Sequence, residues 1–174
     1  MMALKAKISG VEAQRGATLV VALVFLLILT LIGVTATQTS NLQERMVGNT
    51  LDVNRAFQSA EAALRTGEAY LEQAVIGPFD GSTNGLYQPN DGATSNFRYV
   101  WQDPATGWIT RPGTLPEVTQ QPQYIVEEMP PMQDPQGSLA ADEPLGDIQF
   151  YRVTARGFGQ TTATTVMVQS TYRR

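Results

Sequence analysis

Residues 17–34, ATLVVALVFLLILTLIGV, carry no charge, and only Thr18, Thr30 and Gly33 interrupt the apolar side chains. The uncharged interval is wider still, from Gly16 to Gln43. A helix that crosses a bilayer needs roughly 20 predominantly apolar residues, and this run with the weakly polar residues 35–37 is long enough. A helix at the edge of a soluble core would keep a polar face, and this one has none. The residues before it, Lys5, Lys7, Glu12 and Arg15, are net positive. That bias places the N-terminus on the cytoplasmic side.

A removable secretory signal is the rival reading. Residues 34–36, VTA, have the small-x-small form of a cleavage site. The apolar core of such signals is about 7–15 residues, shorter than the run here. The helical pattern also continues past Ala36, so a retained helix fits better than a discarded one. Leu42, Met46, Val53, Phe57, Ala60, Leu64, Leu71 and Val75 recur at spacings of three, four and seven, one stripe of an amphipathic helix. Phe57 and Leu64 on this stripe are expected under a sheet. Glu61 and Arg65 stand four apart in the favourable order. Gly48 and Gly67 lower helix propensity, residues 33–41 form a softened stretch, and Gly77-Pro78 is expected to end the run.

The remainder reads as a β-rich head. Residues 77–96, GPFDGSTNGLYQPNDGATSN, are a loop by composition. Strands are expected over residues 97–102, 123–129, 147–157 and 161–172, the last two joined as a hairpin through Gly157-Phe158-Gly159-Gln160. Pro-rich connections occupy residues 103–122 and 130–144. The simplest architecture is an α+β fold in which an antiparallel sheet packs on the second half of the long helix.

Several chemistries lack their residues. The chain has no histidine and no cysteine, so the usual general base, the commonest metal ligand and any disulfide framework are absent. A formal net charge of -4 gives no basic surface for nucleic acid, and direct nucleic-acid binding is not expected. The adjacent acids Glu127 and Glu128 lie on a strand whose neighbours point to opposite faces, so they cannot act as a pair. Solvated surface is the expected setting for them and for Asp142 and Glu143. Asp80, Ser82, Asn84, Gly85 and Asp91 fall at positions 1, 3, 5, 6 and 12 of a calcium loop. Its last position has Asp in place of a bidentate Glu and no helices flank it symmetrically, so a plain turn-rich loop fits better. No catalytic residue, resident metal or cofactor is expected.

A basic leader ending in Gly, then a small residue, "TL", an unbroken apolar run and an amphipathic continuation resemble a type IV prepilin. The residues that carry the likeness are RGATLVVALVFLLILTLIGV (15–34), QERMVGN (43–49), AFQSAEAALRTGE (56–68), YIVEE (124–128) and the stretch from YRVTARGFG (151–159) to VQSTY (168–172). Together they resemble the PilX family of minor pilins. The resemblance implies cleavage by a prepilin peptidase between Gly16 and Ala17, after Arg15, and N-methylation of Ala17. It explains why the charge stops at Arg15: the leader is removed and the apolar helix is kept as anchor and assembly interface.

The organisation this implies is a leader over residues 1–16, a membrane and assembly half over 17–40, an amphipathic half over 41–76 and a head over 77–174. Leu19, Val21, Leu23, Leu26, Leu27 and Leu31 would carry helix packing. Most pilins have Glu at the fifth mature position, where this chain has Val21. That Glu pairs with the terminal amine of a neighbouring subunit, so its absence implies a subunit with none ahead of it, at the pilus tip. The alternative is that valine merely suits lipid better.

The implied function is that of a minor pilin that initiates assembly and supports twitching motility, adhesion and DNA uptake. Its implied partners are the other minor pilins, the major pilin, the prepilin peptidase and the inner-membrane assembly platform. The implied location is a single pass of the inner membrane with a periplasmic head, then the pilus. A tip pseudopilin of a type II secretion system shares these features and stays open, as does an anchored sensor or adhesin that is never processed.

Overall fold

In a computed structural model, residues 14–89, 97–134 and 146–174 are described. Helix α1 (Gln14–Leu71) precedes seven strands: β1 (Leu86–Tyr87), β2 (Ile109–Thr110), β3 (Gln123–Glu128), β4 (Met132–Gln133), β5 (Asp147–Ile148), β6 (Phe150–Phe158) and β7 (Thr165–Arg173). The chain divides into two compact units, one ending at Gly48 and the other running from Asn49 to Arg174.

In the first unit α1 is unbroken through residues 33–41, where a softened stretch is expected from sequence. The threonines explain the difference. Thr30, Thr35, Thr37 and Thr39 turn their hydroxyls back onto carbonyls three or four residues earlier, as in Thr35 Oγ1 to Leu31 O at 2.8 Å and Thr39 Oγ1 to Thr35 O at 3.0 Å. A hydroxyl satisfied inside the helix competes less with the backbone and needs no water.

In the second unit, residues 49–71 of α1 pack on a five-stranded sheet of order β1-β3-β6-β7, with β2 also paired to β3. The sheet is mixed, because β1 runs parallel to β3 while the other pairs are antiparallel. β4 and β5 form a separate ladder. The β6–β7 hairpin appears as expected, with nine residue pairs from Phe150↔Arg173 to Phe158↔Thr165.

The face that α1 turns to the sheet is a row of small residues. Ala56, Ala60 and Ala63 are fully buried, with Ser59, Gly67 and Leu71 beside them. A Cβ on Gly157 of β6 would run into Ala56 O and Ala60 N, so helix and strand meet backbone to backbone there. A Cβ on Gly67 would lie 2.6 Å from Val153 Cγ1. Large side chains cannot enter so close a contact. Phe57, expected under the sheet, is therefore displaced to 46% exposed, and Leu64 is only half-buried. Beyond the small row, Leu71, Tyr124, Val126, Tyr151 and Val153 build the core, and Phe79 meets Tyr151 with ring centroids 5.3 Å apart.

The helix ends at Leu71, short of Gly77-Pro78. Leu71 is the last residue of α1 with core to bury against, while Val75 is 83% exposed. The turn is tied by Gly77 N donating to Tyr70 Oη at 2.7 Å and by Arg174 Nη2 donating to Gln73 O at 3.0 Å.

On the other side of the sheet, Tyr99 and Trp108 lie against Arg152 and Arg156 of β6. The strand expected over residues 97–102 is instead bends and a 3-10 turn (Val100–Gln102), which packs Val100 inward rather than joining the ladder. On this side of the sheet Ile125, Glu127 and Thr154 are buried.

Candidate functional site

The apolar helix is the first element to place. Every side chain expected to carry helix packing is exposed in the first unit: Leu19, Val21, Leu23, Leu26, Leu27 and Leu31. Val21 is 52% exposed. The helix is long and apolar enough to cross a membrane, and none of its most apolar stretch is buried by the rest of the chain. Contiguous apolar surface of this extent requires lipid or protein neighbours. Gly16 and Ala17 lie within α1 and are exposed, and a Cβ on Gly16 would meet nothing within 4 Å. Arg15 is helical as well.

Exposed apolar surface continues where sequence reading puts core. Leu42, Met46 and Val47 are exposed in the first unit, and Leu51, Val53 and Phe57 in the second. Of the stripe read from the sequence, Leu42, Met46, Val53, Phe57 and Val75 are exposed, Leu64 is half-buried, and Ala60 and Leu71 are buried. What it lacks is the signal carried by size: Ala56, Ala63 and Gly67, off the stripe, take much of the intramolecular contact together with Ala60 and Leu71, and Val53 and Phe57 are left outward.

The head is fastened to α1 by a carboxylate that sequence reading leaves on the polar side. Asp52, buried at 8% exposure, accepts hydrogen bonds from Gln160 N, Thr161 N and Thr161 Oγ1 at the β6–β7 turn. The Thr161 and Thr164 hydroxyls and these amides hold its pKa down at about 2, against an ordinary 3.8. Arg55, three residues after Asp52, donates to Gln160 Oε1 and pairs with Glu117, both at 2.8 Å. Ser59 Oγ reaches Phe158 O, and Thr119 closes the same corner through Gly159 O. Asp52 is recognisable only once the hairpin turn is placed against α1.

Glu127 departs from the expected solvated surface. It is fully buried, and its charge is compensated by the guanidinium of Arg152, with Nε to Oε2 at 2.8 Å and Nη2 to Oε1 at 2.6 Å. The two residues are register partners on β3 and β6. The fork geometry satisfies both carboxylate oxygens, which burial demands. Tyr99 lies 5.8 Å from the Arg152 guanidinium and stacks on Trp101, closing the pair from above. Arg156 rests over Trp108 at 4.1 Å. Glu128 is half-buried, and Asp142 and Glu143 lie outside the described residues.

The calcium-loop positions are only partly described. Asp80 Oδ1 accepts from Ser82 N and Ser82 Oγ, an Asx turn, and these bonds lower its pKa. Asn84 packs its side chain against Gly107. Asp91 lies outside the described residues. Among the described residues no group of three or more acidic, histidine or cysteine side chains could hold a metal.

The arrangement is that of an anchored head with a large unburied apolar helix, and its polar clusters fasten the fold together. Two family models match the chain: PilX N-terminal over residues 15–65, and type IV pilus assembly protein PilX C-term over residues 76–174. No curated protein and no solved structure matches it. The chain belongs to the PilX family of type IV pilus proteins, the minor pilins of that assembly machinery.

Proposed function

We propose that this minor pilin starts pilus assembly and occupies the pilus tip, and that it thereby supports twitching motility and adhesion. In this reading a prepilin peptidase cuts between Gly16 and Ala17, Ala17 is methylated, and the chain waits in the inner membrane with its head in the periplasm. The family match over both halves of the chain, together with an apolar helix whose most apolar stretch is unburied among the described residues, is the observation that carries it. Helix packing through Leu19, Leu23, Leu26, Leu27 and Leu31 would join it to other minor pilins and to the major pilin, with Leu51, Val53 and Phe57 extending the contact.

Tip placement rests on Val21. A carboxylate in lipid is costly and is kept where it has a partner. A subunit with valine there makes no charge pair with a subunit ahead, so it can be first in the filament and gains nothing from the middle. The matching families are those of the type IV pilus, which favours the pilus over a secretion pseudopilus. Deleting the gene should sharply reduce surface pili while the major pilin stays stable in the membrane. Gold labelling of an epitope on the head should fall at filament ends. Label spread evenly along the shaft, in numbers comparable to the major subunit, would contradict tip placement.

A further inference from the structure

β7 forms one margin of the sheet and pairs only with β6 among the described residues. The opposite margin is made of β1 and β2, two residues each, the short form by which natural sheets blunt an edge. β7 is not blunted. Its nine residues, TVMVQSTYR, contain no Pro, no Lys and no acid. Every second residue directs its backbone N–H and C=O away from β6.

The side chains of β7 alternate. Thr165, Met167, Gln169, Thr171 and Arg173 are exposed on one face, while Val166, Val168, Ser170 and Tyr172 are half-buried on the face toward α1. Val168 and Tyr172 already touch the core cluster, and the open edge leaves them incompletely covered. At the end of the strand Arg173 has a side chain 58% exposed, 4.0 Å from Asp134. A strand laid along β7 would therefore meet main-chain groups unpaired among the described residues, half-buried apolar side chains on the α1 side, and on the other the exposed Arg173, whose contact with Asp134 it would share.

We propose that the β7 edge receives an extended strand from a partner protein, apolar on the side facing α1 and carrying a carboxylate that meets Arg173. Main-chain hydrogen bonds supply the docking and the alternating side chains the selectivity, as in strand addition generally. A second copy of β7 fits less well, because it has no carboxylate to offer Arg173. This surface extends the assembly role above by naming the chemistry of a partner. The binding test does not depend on whether pili form, so its failure would remove the surface and leave the pilus reading untouched.

The probe is a labelled nonapeptide alternating valine and threonine with glutamate at both ends, added to the full chain in detergent micelles. Anisotropy should show binding, and amide hydrogen exchange along β7 should slow. Lysine in place of glutamate should weaken binding about fivefold, the reach of one exposed charge pair. A central proline should abolish it. Arg173→Glu should invert the preference between the glutamate and lysine peptides, which a folding defect would not do. No binding, equal binding of the proline peptide, or an unchanged preference in Arg173→Glu would overturn the proposal. So would slow exchange, in the free chain, of the β7 amides that point away from β6, or a chain that dimerises through β7.

Discussion

Glu127 and Asp52 are both carboxylates in the head, and their surroundings give them different dependences. Glu127 is fully buried and answered by one guanidinium, so removing it leaves Arg152 as an uncompensated charge. Glu127→Ala should cost about 3–5 kcal/mol of head stability, and replacing Glu127 and Arg152 together by leucine should recover most of it. Denaturant titration of the four members of that cycle measures the coupling. Asp52 is held by hydrogen bonds at the hairpin turn, with its folded pKa depressed to about 2. A depressed carboxylate contributes stability that is complete above its unfolded value near 4 and is lost as pH falls through 2. Thermal unfolding should therefore show a destabilising limb between about pH 4 and pH 2 that is smaller in Asp52→Asn. Neither role is legible in sequence. Adjacent acids on a strand read as solvated surface until the register sets Arg152 opposite Glu127, and Asp52 reads as helix surface until the turn arrives from more than a hundred residues away.

The elements themselves are largely legible. The apolar helix, the loop-rich start of the head, β3 and the β6–β7 hairpin follow from hydropathy, turn residues and alternation. The parallel β1 and the 3-10 turn do not, because two- and three-residue elements carry no period to read. The second half of α1 is instructive: Ala60 and Leu71 of the expected stripe are buried, whereas Val53 and Phe57 are exposed. Periodicity weights large apolar residues, whereas the helix buries Ala56 and Ala60 where Gly157 approaches its backbone, and Gly67 where Val153 approaches. Two substitutions separate the alternatives. Ala60→Leu should overpack the contact and cost about 1–3 kcal/mol. Phe57→Ala should cost under about 1 kcal/mol of stability, since Phe57 is half exposed, and should be felt in assembly instead. Unfolding midpoints of the two variants, with counts of surface pili, check both.

At the scale of the whole molecule, the chain carries an apolar helix that is unburied among the described residues and a head fastened by its own polar clusters. The family match spans both parts. From Gly16 to Gln43 the chain keeps charge out of the helix, and Val21 leaves out even the one carboxylate that the pilin resemblance implies. Val21→Glu should be tolerated or mildly harmful to piliation, because a carboxylate without a partner must be desolvated or protonated. Gly16→Asp should stop processing and leave precursor in the membrane. The most direct test of the central claim, a processed pilus subunit that keeps its apolar helix, is the intact mass and N-terminal sequence of the protein recovered from membranes and sheared pili. The account predicts a chain that begins at a methylated Ala17. A chain that begins at Met1, or at Thr37 after loss of the helix, would contradict it.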